Sequence, residues 1–270
     1  HCLPNAHTVL HRQYRSGRIP VKATLQFVLL VLVTTFASPW ATAEGSKGTV
    51  LITGANRGIG LELANQFAAA GFTVIGTARK PAEADELKAL GARVEPLDVT
   101  EKNSVAALAA SLGDTPIDLL INNAGISGQP PEDIEKLDVD AMAWTFNVNS
   151  LGPMRVTQAL LPNLRAGQGK RIVQMSSVMG SIANNSGGYY DYRASKAALN
   201  MLNVSLSKEL GPQGFTCVTL HPGWVKTRMG GPSAPVAVKD SAAGLLAVMT
   251  ALTPDNNGQF MDYQGNQLPW

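Results

Sequence analysis

Between residues 48 and 270, apolar positions gather in short dense runs that alternate with helical patterns. The first run is Thr49-Val50-Leu51-Ile52, β-branched and apolar, which reads as a buried strand. It passes directly into TGANRGIG (Thr53–Gly60). Apolar positions at helical spacing follow at Leu61, Leu63, Ala64, Phe67 and Ala68, until Gly71 stops them. Further runs at 72–77, 93–97, 117–121, 171–175, 216–220 and 258–263 predict six more strands. Helical patterns fill the intervals, at about 82–90, 101–112, 138–148, 153–166 and 238–251, with a long helix through Tyr192 and Lys196 that closes near Gly211. The patterns 138–148 and 153–166 are expected to break near Asn149-Ser150-Leu151-Gly152. Strands alternating with helices predict one doubly wound α/β domain, an approximately seven-stranded parallel sheet with helices on both faces. No linker divides 44–270.

The polar motifs fall where such strands end, and ligands of doubly wound sheets sit beyond the strand C-termini. Strand, glycine turn and helix at 49–68 present backbone N–H groups and a helix N-terminus to a pyrophosphate. The second strand ends at Ala78-Arg79 with no acid for a ribose 2′-hydroxyl. Arg79 and Arg57 offer guanidinium groups to a 2′-phosphate instead, which favours NADP(H) over NAD(H). An NAD-dependent alcohol oxidation conflicts with Arg79.

Tyr192 and Lys196 lie one turn apart on a helix face. An ammonium beside a phenol favours the phenolate, so the tyrosine pKa is expected below its reference of about 10. Tyr192 then becomes a proton donor or acceptor usable near neutral pH. Upstream lies the pair Ser176-Ser177. His221 precedes Pro222-Gly223 at a strand end, but with a tyrosine in place a catalytic histidine is not expected. Tyr189 and Tyr190 could stack on an aromatic substrate or simply pack at the helix start.

Composition is that of an ordinary globular protein, 45% hydrophobic and 16% charged. The net charge of +2 conceals an uneven distribution. Residues 1–43 hold Arg12, Arg15, Arg18 and Lys22 and no acid, leaving 18 basic and 20 acidic groups in 44–270. That weakly acidic body offers nothing to a nucleic acid. With only Cys217 and His221 in it, zinc sites of the Cys/His kind and an internal disulfide are excluded, and no metal is expected. Within the leader, Lys22, the apolar run Phe27–Val33 and Ala41-Thr42-Ala43 have the form of a signal peptide, too short for a stable membrane span. Residues 1–43 are either that peptide, read from an alternative start at Val21, or upstream translation. The domain is periplasmic or secreted in the first case and cytoplasmic in the second.

Seven motifs in order carry a family resemblance: TGANRGIG (53–60), LDVT (97–100), NNAG (122–125), NVNSLG (147–152), MSSVMG (175–180), YRASK (192–196) and HPGWVKT (221–227). Over 48–270 the chain resembles the short-chain dehydrogenase/reductase family, with its Rossmann-type dinucleotide-binding domain. RASKAALNM, LHPGWVKTRMGG and DYQGNQLPW make it similar to the carbonyl reductases of C-factor/Sniffer type.

The resemblance implies a pyrophosphate turn around Gly54, Asn56, Arg57, Gly58, Ile59 and Gly60. It implies an adenine contact from Asp98 and Val99, and a ribose floor from Asn122, Ala124 and Gly125. Pro222, Gly223, Val225 and Thr227 would hold the nicotinamide carboxamide. Tyr192 would protonate a substrate carbonyl, and Lys196 would bind the nicotinamide ribose and lower the tyrosine pKa. Asn149 would hold a water behind the lysine. Ser177, with Gly180 three residues on, would donate to the substrate oxygen. The serine-to-tyrosine separation of fifteen residues exceeds the family's common spacing, and the extra residues near 182–188 are expected to alter the pocket rim. The short stretch Arg228–Val238 suggests an open site.

The resemblance implies NADPH-dependent reduction of a small-molecule ketone or aldehyde, by a monomer or homodimer. The alternative is an exported or surface signalling protein of C-factor type whose nucleotide site is sensory or structural.

Overall fold

The computed structural model describes residues 46–129 and 133–270, so the leader readings lie outside the described residues. Strand β1 (Thr49–Ile52) is flanked by β2 (Thr73–Ala78) and, on its other side, by a strand far along the chain. Helix α1 (Gly58–Ala69) joins β1 to β2, and α2 (Asp85–Ala89) joins β2 to β3 (Arg93–Pro96). After α3 (Lys102–Leu112), β4 (Leu119–Asn122) returns to pair with β1. Then come α4 (Val139–Phe146), α5 (Gly152–Ala159), α6 (Leu161–Ala166), β5 (Arg171–Met175), α7 (Tyr190–Leu210), β6 (Thr216–His221), α8 (Val238–Ala251) and β7 (Phe260–Asp262). The strand order is β3-β2-β1-β4-β5-β6-β7, every pairing parallel, as the alternating pattern predicts. The chain reverses direction across the sheet between β1 and β4, which opens a crevice at their C-terminal ends.

Helices cover both faces, so the central strands β1 and β4 are buried on both sides rather than alternating buried and exposed. On one face Ile121, Val173 and Val218, paired across β4, β5 and β6, meet Leu63 and Phe67 of α1 and Leu245 and Met249 of α8. On the other, Leu120, Ile172 and Cys217 meet Val156 and Leu160 near α5 and Leu206 and Leu210 of α7. Burial pushes the Cys217 thiol up to about 12, leaving it an inert core residue.

The expected break near Asn149–Gly152 is not there. Helical φ and ψ continue from α4 through a π turn, Asn147–Leu151, in which the Gly152 N–H donates to the Asn147 carbonyl. Pro153 has no N–H to give the Asn149 carbonyl, so the turn widens rather than ending the helix. The interruption comes at Leu160 (φ −94°, ψ 5°), before Pro162. The second helical pattern also starts later than expected, with a 3₁₀ turn at Pro81–Glu83 preceding α2.

Phe67 is fully buried between α1 and the sheet, edge-on to Phe72 at 5.1 Å. Phe67→Ala is expected to lower the unfolding free energy by about 3–5 kcal/mol, read from the guanidinium midpoint at unchanged slope.

Candidate functional site

The turn after β1 is shaped by close backbone contact. Gly54 has φ +64°, and a Cβ there would lie 3.1 Å from the Ala124 Cα. A Cβ on Gly60 would run into the Gly54 carbonyl and the Asn123 amide. The turn is also braced from below. Thr53 Oγ1 accepts the N–H groups of Asn123 (2.9 Å) and Ala124 (3.0 Å), and Asn123 Nδ2 donates to the carbonyls of Thr53 (2.9 Å) and Gly54 (3.2 Å). Gly54 N–H donates to Thr77 Oγ1 at 3.3 Å. Asn122 points elsewhere. As the last residue of β4 it turns its amide into the helices, donating to Thr157 Oγ1 at 3.0 Å, so the brace on the glycine turn comes from Asn123.

α1 starts at Gly58 with no side-chain cap from Arg57, and its first N–H groups face the crevice rim. Asn56 and Ile59 are half-buried in this turn, Ile59 packing on the α1–α8 core. The Cβ position of Gly58 lies 3.6 Å from Thr227 Cγ2.

Arg57 and Arg79 are exposed, and neither takes part in the four ion pairs among the described residues. Burial alone would raise the pKa of Asp98. Hydrogen bonds from the Thr100 hydroxyl (2.7 Å) and N–H (3.0 Å), with the Arg79 guanidinium nearby, outweigh it and hold the carboxyl below its usual range. Val99 is buried beside them against Gly152. At the β6 end the Pro222 carbonyl accepts the Ser241 hydroxyl (2.6 Å), Gly223 has φ +87° against Tyr263, and buried Val225 bridges to Val236. Thr227 Oγ1 accepts the Gly230 N–H at 3.0 Å.

A second cluster forms where β5 ends beneath α7. Ser176 donates to Asn200 Oδ1 (2.6 Å), inside the core. Ser177 instead lies beside Tyr192, its hydroxyl accepting the Met179 N–H (3.1 Å) and standing close enough to the phenol to pull its pKa down. The geometry therefore separates two adjacent serines. Lys196, 5% exposed, donates to the Met175 carbonyl (2.8 Å) and lies 5.8 Å from the Tyr192 ring centre. Asn149, on the π turn and fully buried, accepts the Ile126 N–H (2.9 Å) and donates to the Ile126 carbonyl (3.0 Å) and Ser195 Oγ (3.1 Å). Ser195 in turn donates to the Tyr192 carbonyl at 2.8 Å. A Cβ on Gly125 would lie 3.2 Å from Asn149 Oδ1 and 3.6 Å from Lys196 Nζ, so glycine leaves the space between them open.

The expected depression of the Tyr192 pKa by Lys196 is not what this arrangement produces. Burial pushes the phenol up, and the Ser177 hydroxyl beside it offsets that only partly. Lys196 directs its ammonium at a backbone carbonyl, and burial pulls its own pKa down to about 8. Burial likewise lowers His221 to about 4, against the opposing effect of Asp262, so this histidine is neutral at pH 7. It pairs with Asp262 on β7.

Tyr190 lines a groove with Arg193, Ala194 and Ala197 of α7 and with Met179 and Ile182. The extra residues before Tyr192 lie along that groove. Arg193 Nε donates to the carbonyls of Gly187 and Gly188 (both 3.1 Å), and Ala183 N–H donates to the Trp270 carbonyl (2.9 Å). Trp224, 56% exposed, and Met229 stand on the loop after β6.

The short chain dehydrogenase family model matches residues 48–235. Among curated relatives, the C-signal of Myxococcus xanthus is 50% identical over 165 residues, covering 61% of this chain and 99% of that protein. The carbonyl reductase Sniffer of D. melanogaster superposes with a TM-score of 0.77 at 35% identity, over 83% of this chain and 99% of its own. An NADPH-bound carbonyl reductase from chicken fatty liver gives the same score and identity, over 83% and 100%.

Lys196 supplies a test of this electrostatic picture. Its folded pKa of about 8 lies below the unfolded value near 10.5, so the unfolded chain binds more protons between them and stability rises with pH. From pH 8 to 9, unfolding free energy should gain up to about 1.4 kcal/mol from this group. Lys196→Met should lack that gain when the two are compared by denaturant titration.

Proposed function

This chain belongs to the short-chain dehydrogenase family, and we propose that within it the protein is an NADPH-dependent carbonyl reductase in which Tyr192 gives the proton. The observation that carries the reading is the placement of the Ser177 hydroxyl beside the Tyr192 phenol, one helical turn from Lys196. A phenol whose pKa is raised keeps its proton at pH 7. That is the form needed to protonate a carbonyl oxygen, whereas alcohol oxidation needs the phenolate as base. Ser177 donates to the same oxygen and orients it, and Lys196 holds positive charge near the phenol as its proton leaves. Asn149 fixes the turn behind Lys196 through Ile126 and Ser195.

The residues suit a nicotinamide dinucleotide. Gly54 and Gly60 clear a cradle that side chains would fill, α1 presents its N-terminus, and Asn123 and Thr53 hold the turn. The roles expected of Pro222, Gly223, Val225 and Thr227 at the carboxamide fit the way they cluster at the end of β6 next to Gly58. Exposed Arg57 and Arg79, with no acid ending β2, support a 2′-phosphate, and the chicken carbonyl reductase was solved with NADPH. Bound there, NADPH supplies a hydride to the carbonyl carbon.

The signalling alternative, prompted by the C-factor likeness, is the weaker reading. Ser177, Tyr192 and Lys196 are gathered at one place, and Asn149 is tied to them through Ser195, which a purely sensory nucleotide site does not require.

Purified protein should oxidise NADPH with small aldehydes, diketones or quinones. Tyr192→Phe should lose about 10²-fold or more in kcat with NADPH affinity kept within threefold; retained turnover would remove Tyr192 from the chemistry. Arg79→Asp should weaken NADPH binding by about tenfold or more while sparing NADH. Equal losses for both would count against a 2′-phosphate contact.

A further inference from the structure

Helix α7 carries Tyr192 in its first turn, and that turn lacks an ordinary cap. Tyr189 at the N-cap is left-handed (φ 50°, ψ 45°) and contributes no side-chain acceptor. First-turn N–H groups have no carbonyl partner inside their own helix, so an uncapped start frays. Asp191 supplies what the cap does not. Its Oδ1 accepts the Tyr192 N–H (2.7 Å), while Oδ2 accepts the Gln129 N–H (2.8 Å) and the Thr145 hydroxyl (2.7 Å).

This carboxylate is 1% exposed and takes part in none of the four ion pairs among the described residues. An isolated buried charge is costly. Here three donors and the positive end of α7 offset that cost. The loop comes close enough because residue 128 is glycine, with φ +71°; a Cβ there would run into the Asp191 carboxylate. Two residues before Gly128, Ile126 bonds Asn149, which reaches back through Ser195 to the Tyr192 carbonyl. Tyr192 is thus held from both sides of its own backbone, its N–H by Asp191 and its carbonyl by Ser195.

We propose that Asp191 is a positioning residue for Tyr192, locking the first turn of α7 to the 126–129 loop and to α4 so that the phenol meets Ser177 in one geometry. The consequence for turnover rests on the reading of Tyr192 as proton donor; the anchoring itself does not. Misplacing a reacting group by about an ångström costs rate by up to about 10²-fold, so the loss should appear in kcat more than in KM.

The test combines hydrogen–deuterium exchange with steady-state kinetics on wild type, Asp191→Ala, Asp191→Asn and Thr145→Val. In Asp191→Ala the amides of Gln129 and Tyr192 should exchange faster together, while the strands stay protected. Its kcat should fall by about tenfold or more with KM and NADPH affinity within about threefold. Asp191→Asn keeps an acceptor but turns an amide toward at least one donor, so it should fall between alanine and wild type. Thr145→Val, which removes the tie to α4 but leaves the Tyr192 and Gln129 bonds in place, should lower kcat less than Asp191→Ala does. Unchanged exchange at Tyr192 in Asp191→Ala, or a loss confined to KM, overturns the proposal. If Asp191→Ala does not fold, Asp191→Asn decides: wild-type kcat and wild-type protection reject the anchor, and a lowered kcat over a protected sheet supports it. Wild-type protein without carbonyl turnover would instead reject the proton-donor reading, and the exchange data would still judge the anchor.

Discussion

Seven strands running in one direction constrain everything else in this protein. Parallel strands need a crossover after each one, so every strand C-terminus opens a loop on the same edge of the sheet. The reversal between β1 and β4 then separates those loops enough to leave a crevice. Thr53–Gly60 after β1, Arg79 after β2, Asp98 after β3, Asn123–Gly125 after β4, Ser177 after β5 and Pro222–Thr227 after β6 all arrive at that edge. The same constraint demands apolar strands on both faces.

Burial decides how the cluster at the end of β5 behaves. A phenol and an ammonium in water would each titrate near their reference values, and the second would pull the first down. Partly or fully withdrawn from water, both are displaced toward their neutral forms, the phenol upward and the ammonium to about 8. The Ser177 hydroxyl works against this at the phenol, and the Met175 carbonyl takes a hydrogen bond from the ammonium. A protonated tyrosine at neutral pH is the form that can give a proton to a carbonyl oxygen.

Much of this was legible in the sequence, for reasons that differ by residue. The strands and α1 follow from local apolar runs and from glycine, both short-range signals. Tyr192 and Lys196 stood out by helical spacing and Ser177 through the family resemblance, and the structure places the three near one another. The resemblance put Asn122 and not Asn123 at the ribose floor, but which neighbour faces the glycine turn depends on where β4 ends and how it pairs, Asn122 opposite Gln174. The π turn was read as a break, since Pro153 and Gly152 signal interruption and only tertiary packing carries the helix through. Asp191 gave no signal: an acid in the first turn of a helix is ordinary, and its partners Gln129 and Thr145 lie 62 and 46 residues away. The pKa of Tyr192 was read in the wrong direction because sequence spacing reveals the nearby lysine and conceals the burial.

The central claim is that a protonated Tyr192 supplies the proton for carbonyl reduction. The pH dependence of kcat for NADPH-driven reduction tests it most directly. The account predicts a rate that holds steady from about pH 6 to 7.5 and falls only on the alkaline side, as the Lys196–Tyr192 pair loses protons, with that limb absent from whatever activity Tyr192→Phe retains. A rate that climbs with pH across that range, or an alkaline limb unchanged in Tyr192→Phe, would contradict it.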